Sequence, residues 1–190
     1  NHIESLLISH NVILSTNFFW HQNYKIHSNS SYKKYCIDII REKKPYVIAS
    51  RIFQDRIESS NIIYNPIGLI VEDKSLVKEK NYKCKKDSIL ISAGITNNSI
   101  EKAHQILKKL ISNKIHLKRR IYVEPRLLIN NSFPENIESA TYTQEMYKSL
   151  IFAFIRPGLG TLLNCISNFA CPICFSEINN LEMINNIEKV

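Results

Sequence analysis

The junction between Leu150–Ile155, an unbroken apolar run, and Arg156-Pro157-Gly158-Leu159-Gly160-Thr161 constrains the fold more than any other stretch. Six apolar residues are enough for one buried strand and too few for a buried helix. Arg156-Pro157-Gly158 stops the run, and Leu162, Leu163, Ile166 and Phe169 then recur at helical spacing. A second apolar run, Cys171 to Phe175, ends in the polar stretch Ser176-Glu177-Ile178-Asn179-Asn180, and a further helix follows. The order is strand, glycine turn, helix, strand, polar loop, helix. A buried parallel strand that feeds a glycine turn and a helix N-terminus is suited to an anionic or nucleotide-bearing ligand. Glycine admits close approach of backbone N–H groups, and the helix end adds partial positive charge.

Composition narrows the class. A chain of 190 residues can bury one sizeable core or form two small lobes. With 44% hydrophobic and 22% charged residues it reads as a soluble globular protein. Lys+Arg 25 against Asp+Glu 17 gives +8, which suits phosphates, nucleic acid or an acidic membrane surface and decides among none of them. Of four glycines, Gly94, Gly158 and Gly160 follow strand-like runs, which points to ligand loops. No apolar run approaches the ~20 residues of a membrane helix, and no basic-then-apolar leader is visible. The expectation is a cytoplasmic protein, or one peripheral at a membrane, with no transmembrane segment. The start at Asn1 rather than Met suggests a processed or partial product.

Five cysteines at irregular spacing do not suggest a disulfide framework. Cys171-Pro172-Ile173-Cys174 is the one C-x-x-C. Zinc would need two more ligands, and a redox pair should open a helix rather than sit in an apolar strand. The pair is expected to be buried in a strand, with no metal and no cofactor.

Earlier in the chain, residues 1–10 resemble the tail of a helix, and Asn11–Thr16 reads as a strand. Phe18, Phe19 and Trp20 then cluster before His21, a candidate base or a solvated side chain. Ser31–Lys44 is a helix with Tyr32, Tyr35, Cys36, Ile39 and Ile40 as its apolar stripe, and Pro45 stops it. Tyr46–Ala49 is a strand, Asn65-Pro66-Ile67-Gly68 a turn, and Leu69–Val71 another short strand. Residues 72–87 are rich in charge and read as a solvated linker, with a hinge expected somewhere in 66–87. The α/β rhythm then restarts. Ser88–Ala93 is a strand ending at Gly94, Ile95–Asn98 a loop, Ser99 the cap, and Ile100–Ser112 an amphipathic helix. Arg120–Val123 is a strand, Ile137 lies on a short extended piece, and Thr143 caps a helix over Gln144–Ser149.

Four groups of residues carry a resemblance: Thr143-Gln144-Glu145-Met146, Arg156-Pro157-Gly158-Leu159-Gly160-Thr161, Ser176-Glu177, and Glu182 with Asn185. This stretch resembles the GT-B glycosyltransferases. It is most similar to the family-28-like branch that contains the lipid-II-forming N-acetylglucosaminyltransferase, and to glycosyltransferase-like domains found beside some sugar kinases. Ser15–Trp20 also resembles an N-F-x-W segment of those last relatives.

The resemblance implies an α/β fold of two Rossmann-like lobes with parallel sheets, the N-terminal lobe being incomplete. Residues 1–71 would be a partial acceptor-side lobe, 72–87 the linker, and 88–190 the nucleotide-sugar-binding lobe. It implies a nucleotide and diphosphate site at Gly94, Thr96, Asn97, Thr143, Met146, Arg156, Gly158, Gly160, Thr161 and Asn164. Sugar contacts would come from Glu177, Asn180, Glu182 and Asn185. The implied partners are a nucleotide-sugar donor, with a UDP-sugar foremost, an acceptor the sequence does not name, and a partner chain. Relatives commonly carry Glu three residues after the Thr. Asn164 stands there instead and loses the bidentate, charge-assisted grip on ribose hydroxyls.

The residues by themselves agree with that implication. Glycosyl transfer of this class needs positive potential and backbone donors around the leaving diphosphate rather than covalent help. Arg156 either contributes there or caps the preceding strand, while Glu177 and Glu182 also suit a helix start. A full two-lobed enzyme needs roughly twice this length. The chain is therefore read as a glycosyltransferase if complete or complemented by a partner, or else as a non-catalytic nucleotide-sugar-binding subunit or fragment. A basic nucleic-acid-binding protein is disfavoured, because the positive charge is not gathered near aromatics.

Overall fold

The computed structural model describes residues 6, 13–16, 30–50, 64–68, 86–94, 96–129, 133–175, 177 and 180–189, and in them every strand pairing is parallel. The chain divides into two units, one built on residues 1–70 and the other on 71–188. The aromatic segment with Trp20 and His21, the strand expected at 69–71 and the charged run 72–85 lie outside the described residues.

In the first unit β1 (Ile13–Thr16), helix α1 (Ser30–Lys43), β2 (Tyr46–Ser50) and β3 (Tyr64–Ile67) form a sheet of order β1-β2-β3. Cys36, Ile39 and Ile40 of α1 pack with Leu6, Leu14, Val47 and Ala49, and Tyr32 flanks them. Tyr35 leaves the expected stripe and is exposed. Lys44, at φ 45°, and Pro45 end the helix. The expected turn at Asn65-Pro66-Ile67 is instead strand, with Pro66 opposite Ala49. β3 is an edge strand, where a residue without an N–H is tolerated.

The second unit carries β4 (Ser88–Ser92), α2 (Asn97–Ser112), a 3-10 turn (Ile115–Leu117), β5 (Arg120–Val123), α3 (Pro125–Leu128) and β6 (Ile137–Ser139). It continues with α4 (Gln144–Ser149), β7 (Leu150–Ile155), α5 (Leu159–Ser167), β8 (Cys171–Cys174) and α6 (Leu181–Glu188). The strand order is β6-β5-β4-β7-β8. Fully buried β4 sits at the centre. From it the chain builds outward to β6, then returns to β7 and builds the other way. Right-handed crossovers running in opposite directions put α2 and α5 on opposite faces. The core on the α2 side joins Ile91, Ala103, Leu107, Ile121, Val123 and Leu127.

Three local expectations change. Helix α2 begins at Asn97 with Thr96 as its cap, and buried Ser99 lies inside the first turn, its N–H reaching Thr96 Oγ1 at 3.4 Å. Helix α5 ends at Ser167, so Phe169 is not on its apolar face and is 81% exposed. Cys171 is exposed and Cys174 half-buried, because β8 is an edge strand with neighbours on one side only. The buried thiol of the region is Cys165, whose pKa burial pushes up to about 12, with Cys174 nearby adding to the shift. It stays protonated and inert at neutral pH.

Leu107 is 1% exposed at the centre of the α2 core. Leu107→Ala should cost about 2–5 kcal/mol in denaturant unfolding. A loss below about 1 kcal/mol would show that α2 does not seal this core.

Candidate functional site

A doubly wound sheet leaves a crevice at the C-terminal ends of its strands where the winding reverses, and ligands of such folds bind there. In the second unit that place is the gap between β4 and β7. The loops leaving these two strands carry Gly94 and Thr96, and Arg156-Pro157-Gly158. The loop after β8 brings Glu177 and Asn180, the one after β5 brings Glu124, and the segment after β6 brings Tyr142.

Glu177 ties three of these loops together. One carboxylate oxygen accepts from Thr96 Oγ1 after β4. The other accepts from Arg156 Nε at 3.1 Å after β7, and from Asn180 Nδ2 at 3.1 Å. Both partners of the ion pair are largely buried. Burial alone would raise the Glu177 pKa, but the bonds from Thr96 and Arg156 outweigh it and hold the carboxyl below its ordinary value. Half-buried Glu182 moves the other way. Burial raises its pKa, and the Arg156 charge offsets this only in part. Asn180 caps α6, its Oδ1 accepting from Met183 N–H at 3.2 Å. Arg156 therefore neither caps β7 nor stands free. It lies against acids from the β8–α6 region.

Gly94, at φ +67°, has a steric reason to be glycine. A Cβ there would come within 2.7 Å of the Arg156 Cδ atom. Its N–H and that of Ala93 both donate to Glu124 Oε2 at 2.8 Å. Arg126 completes this second network, with Nε 2.9 Å from Glu124 Oε1 and a further bond to the Gly94 carbonyl. The carboxylate of Glu124 thus occupies the backbone donors at the end of β4.

The turn after β7 is different. The first backbone bond of α5 is Leu162 N–H to the Gly158 carbonyl at 3.0 Å, so the N–H groups of Leu159, Gly160 and Thr161 have no acceptor within the helix. A Cβ added at Gly158 or Gly160 would meet nothing within 4 Å, so the backbone is open to an incoming group. From α6, buried Asn186 donates Nδ2 to the Pro157 carbonyl at 2.8 Å and fixes the turn.

The other expected site residues separate into two sets. Thr143 caps α4 by accepting from Met146 N–H at 3.4 Å, and Met146 itself is buried in the core. Asn97 is exposed at the start of α2. Thr161 and Asn164 lie near the Tyr147 hydroxyl, whose pKa burial raises to about 12 while these two side chains offset part of the rise. The side chain of Asn185 lies outside the described set. Sequence reasoning missed Glu124, Arg126, Tyr142 and Asn186. The first had a signal, since it directly follows the strand Arg120–Val123 as Gly94 and Arg156 follow theirs. Tyr142 is left-handed at φ 54°, and its hydroxyl lies 3.0 Å from Ser92 Oγ at the end of β4. Among the described residues no group of three or more His, Cys, Asp or Glu side chains is placed to hold a metal ion.

No protein-family profile matches the sequence, and no curated protein matches it. Among solved structures the chain is similar to the glycotransferase of kitacinnamycin, with a TM-score of 0.54 and 10% identity. The likeness covers 80% of this chain and 41% of that one, so the chain spans about two fifths of that glycotransferase. At this identity the likeness is one of fold, a glycosyltransferase-like arrangement of α/β layers with parallel sheets. No described helix is long and apolar enough to cross a membrane.

The lowered pKa of Glu177 gives a signed expectation. Its stabilising effect is present above about the ordinary value of 4.5 and is lost as pH falls through the lower folded value. Glu177→Gln should therefore be less stable at neutral pH, by on the order of 3 kcal/mol, with the gap closing in acid. Denaturant melts of both proteins across pH check this. A gap that does not change with pH would mean that the ion pair is not holding the loops.

Proposed function

We propose that the 71–188 unit binds a nucleotide-diphosphate sugar at the β4/β7 crevice, as the donor lobe of a GT-B glycosyltransferase. The observation that carries this is the open N-terminus of α5 at the point where the winding reverses. Three N–H groups with no acceptor among the described residues, and two glycines at which a Cβ would meet nothing within 4 Å, lie where an anion is favoured. The glycosyltransferase-like fold supports the same reading.

In this assignment Leu159, Gly160 and Thr161 hold the diphosphate through backbone N–H groups, with Gly158 leaving room. Thr96 and Arg156 shape the wall, and Gly94 acts by admitting the Arg156 stem. Thr143 positions the loop that faces the base, with uridine the leading candidate. Glu177, Asn180 and Glu182 lie on the sugar side. During transfer the bond from the anomeric carbon to the diphosphate oxygen breaks, and an acceptor oxygen bonds to that carbon while losing its proton to a base. The developing negative charge stays on the diphosphate, where the helix end stabilises it.

A second reading keeps the donor site but not the turnover. The positive charge of Arg126 and Arg156 is already met by Glu124 and Glu177, which favours a binding subunit that needs a partner to complete catalysis.

Calorimetric titration with UDP and other nucleotide diphosphates distinguishes binding from its absence. Gly158→Val should weaken nucleotide binding more than about tenfold, ~1.4 kcal/mol. Because a Cβ there touches nothing, the fold should survive and the loss should report the ligand. Asn164→Glu should tighten binding. Equal affinity for wild type and both variants would remove the donor-site assignment.

A further inference from the structure

The other end of the same sheet carries an unusual surface. Just before β8, Phe169 is 81% exposed and left-handed at φ 55°. It occupies the position after a helix that normally favours glycine. Ala170 N–H bonds the Cys165 carbonyl at 2.9 Å and Phe169 N–H bonds that of Ile166 at 3.0 Å, the paired closure of a glycine-type C-terminal cap. A phenyl ring at such a site adds backbone strain and gains no burial. Lys86 steadies the turn by donating Nζ to the carbonyls of Asn168 and Phe169, each at 2.7 Å.

Before β5, Leu117 is 65% exposed within Lys114-Ile115-His116-Leu117-Lys118-Arg119-Arg120. Lys114 is also left-handed, at φ 57°. Among the described residues Lys114, Lys118 and Arg119 pair with no carboxylate, whereas Arg120 meets Glu138 at 3.3 Å. Leu117, Lys118, Arg119, Asn136 and Asp87 line a hollow of about 470 Å³ at this end. Leu117 and Phe169 head strands three spacings apart, roughly 14 Å. The result is two protruding apolar side chains: Leu117 beside three cations that meet no carboxylate among the described residues, and Phe169 with the Lys86 ammonium 5.9 Å from its ring centre.

We propose that this end of the 71–188 unit docks on an anionic lipid bilayer. Phe169 and Leu117 enter the interface, and Lys114, Lys118 and Arg119 meet headgroup phosphates. Membrane surfaces take this combination of shallow apolar insertion and cation attraction. Single-stranded nucleic acid would instead call for a row of aromatic faces along a basic groove, and among the described residues Phe169 is the exposed aromatic of the patch. The surface lies opposite the candidate donor loops, so the proposal stands or falls independently of the donor reading.

The test is co-sedimentation of the full chain with phosphatidylcholine vesicles and with vesicles that also contain phosphatidylglycerol. Binding should require the anionic lipid, weaken as salt rises, and resist free inorganic phosphate at matched phosphate concentration. Phe169→Gly should melt no lower than wild type, because glycine suits the left-handed turn, yet lose about tenfold or more in vesicle affinity. A Lys118→Glu, Arg119→Glu variant should lose at least as much. The proposal is overturned by equal binding to both vesicle types, by variants that bind as wild type, by release with free phosphate, or by tighter retention on single-stranded RNA.

Discussion

The ion pair of Arg156 with Glu177 joins the ends of the neighbouring strands β7 and β8, and the shape of the crevice depends on it. Thr96 after β4 and Asn180 at the head of α6 bond the same carboxylate. One side chain therefore fixes the spacing of three loops. Such a pair is worth little over a well-packed apolar contact, but leaving either partner alone in a buried place is costly. Its value here is geometric. It holds Arg156 over Gly94, which can be nothing larger without a clash, and leaves the start of α5 uncovered.

Glu124 repeats the arrangement one strand over, accepting from two backbone N–H groups and binding Arg126. Together the two acids neutralise the arginines nearest the crevice and leave the helix N-terminus as the main source of positive potential. A diphosphate in this site would rely on backbone donors and would not be gripped by arginine. That pattern suits a leaving group that must later depart, and it gives a physical basis for the donor role proposed above. The opposite end of the sheet gathers two exposed apolar side chains and cations that meet no carboxylate among the described residues. The two ends of one set of parallel strands thus present quite different chemistry.

Much of this was readable from the sequence. Arg120–Val123, Leu150–Ile155 and Gln144–Ser149 occur with the bounds that periodicity and capping predict. Buried parallel strands bounded by glycine or capping residues give strong local signals. The misses have tertiary causes. Pro66 sits in a strand because that strand is at an edge, and Cys171 is exposed for the same reason. Edge position depends on pairing order, which no local pattern encodes. Phe169 fitted a helical stripe by spacing, but the helix closed two residues earlier. At the site, Arg156 and Glu177 were picked out separately by placement after strands, but their pairing depends on β7 and β8 being neighbours. Glu124 had the same placement and was passed over because no glycine marked it.

The central claim is that the start of α5, at the reversal of the winding, is where a nucleotide diphosphate binds. The most direct measurement is a two-dimensional amide NMR titration of the full chain with UDP. Binding at this site should shift the amides of Gly158, Leu159, Gly160 and Thr161 first and most, with smaller changes at Gly94 and Thr96. Unchanged amides in that turn at saturating UDP, or shifts centred on Lys118 to Arg120 at the other end of the sheet, would contradict it.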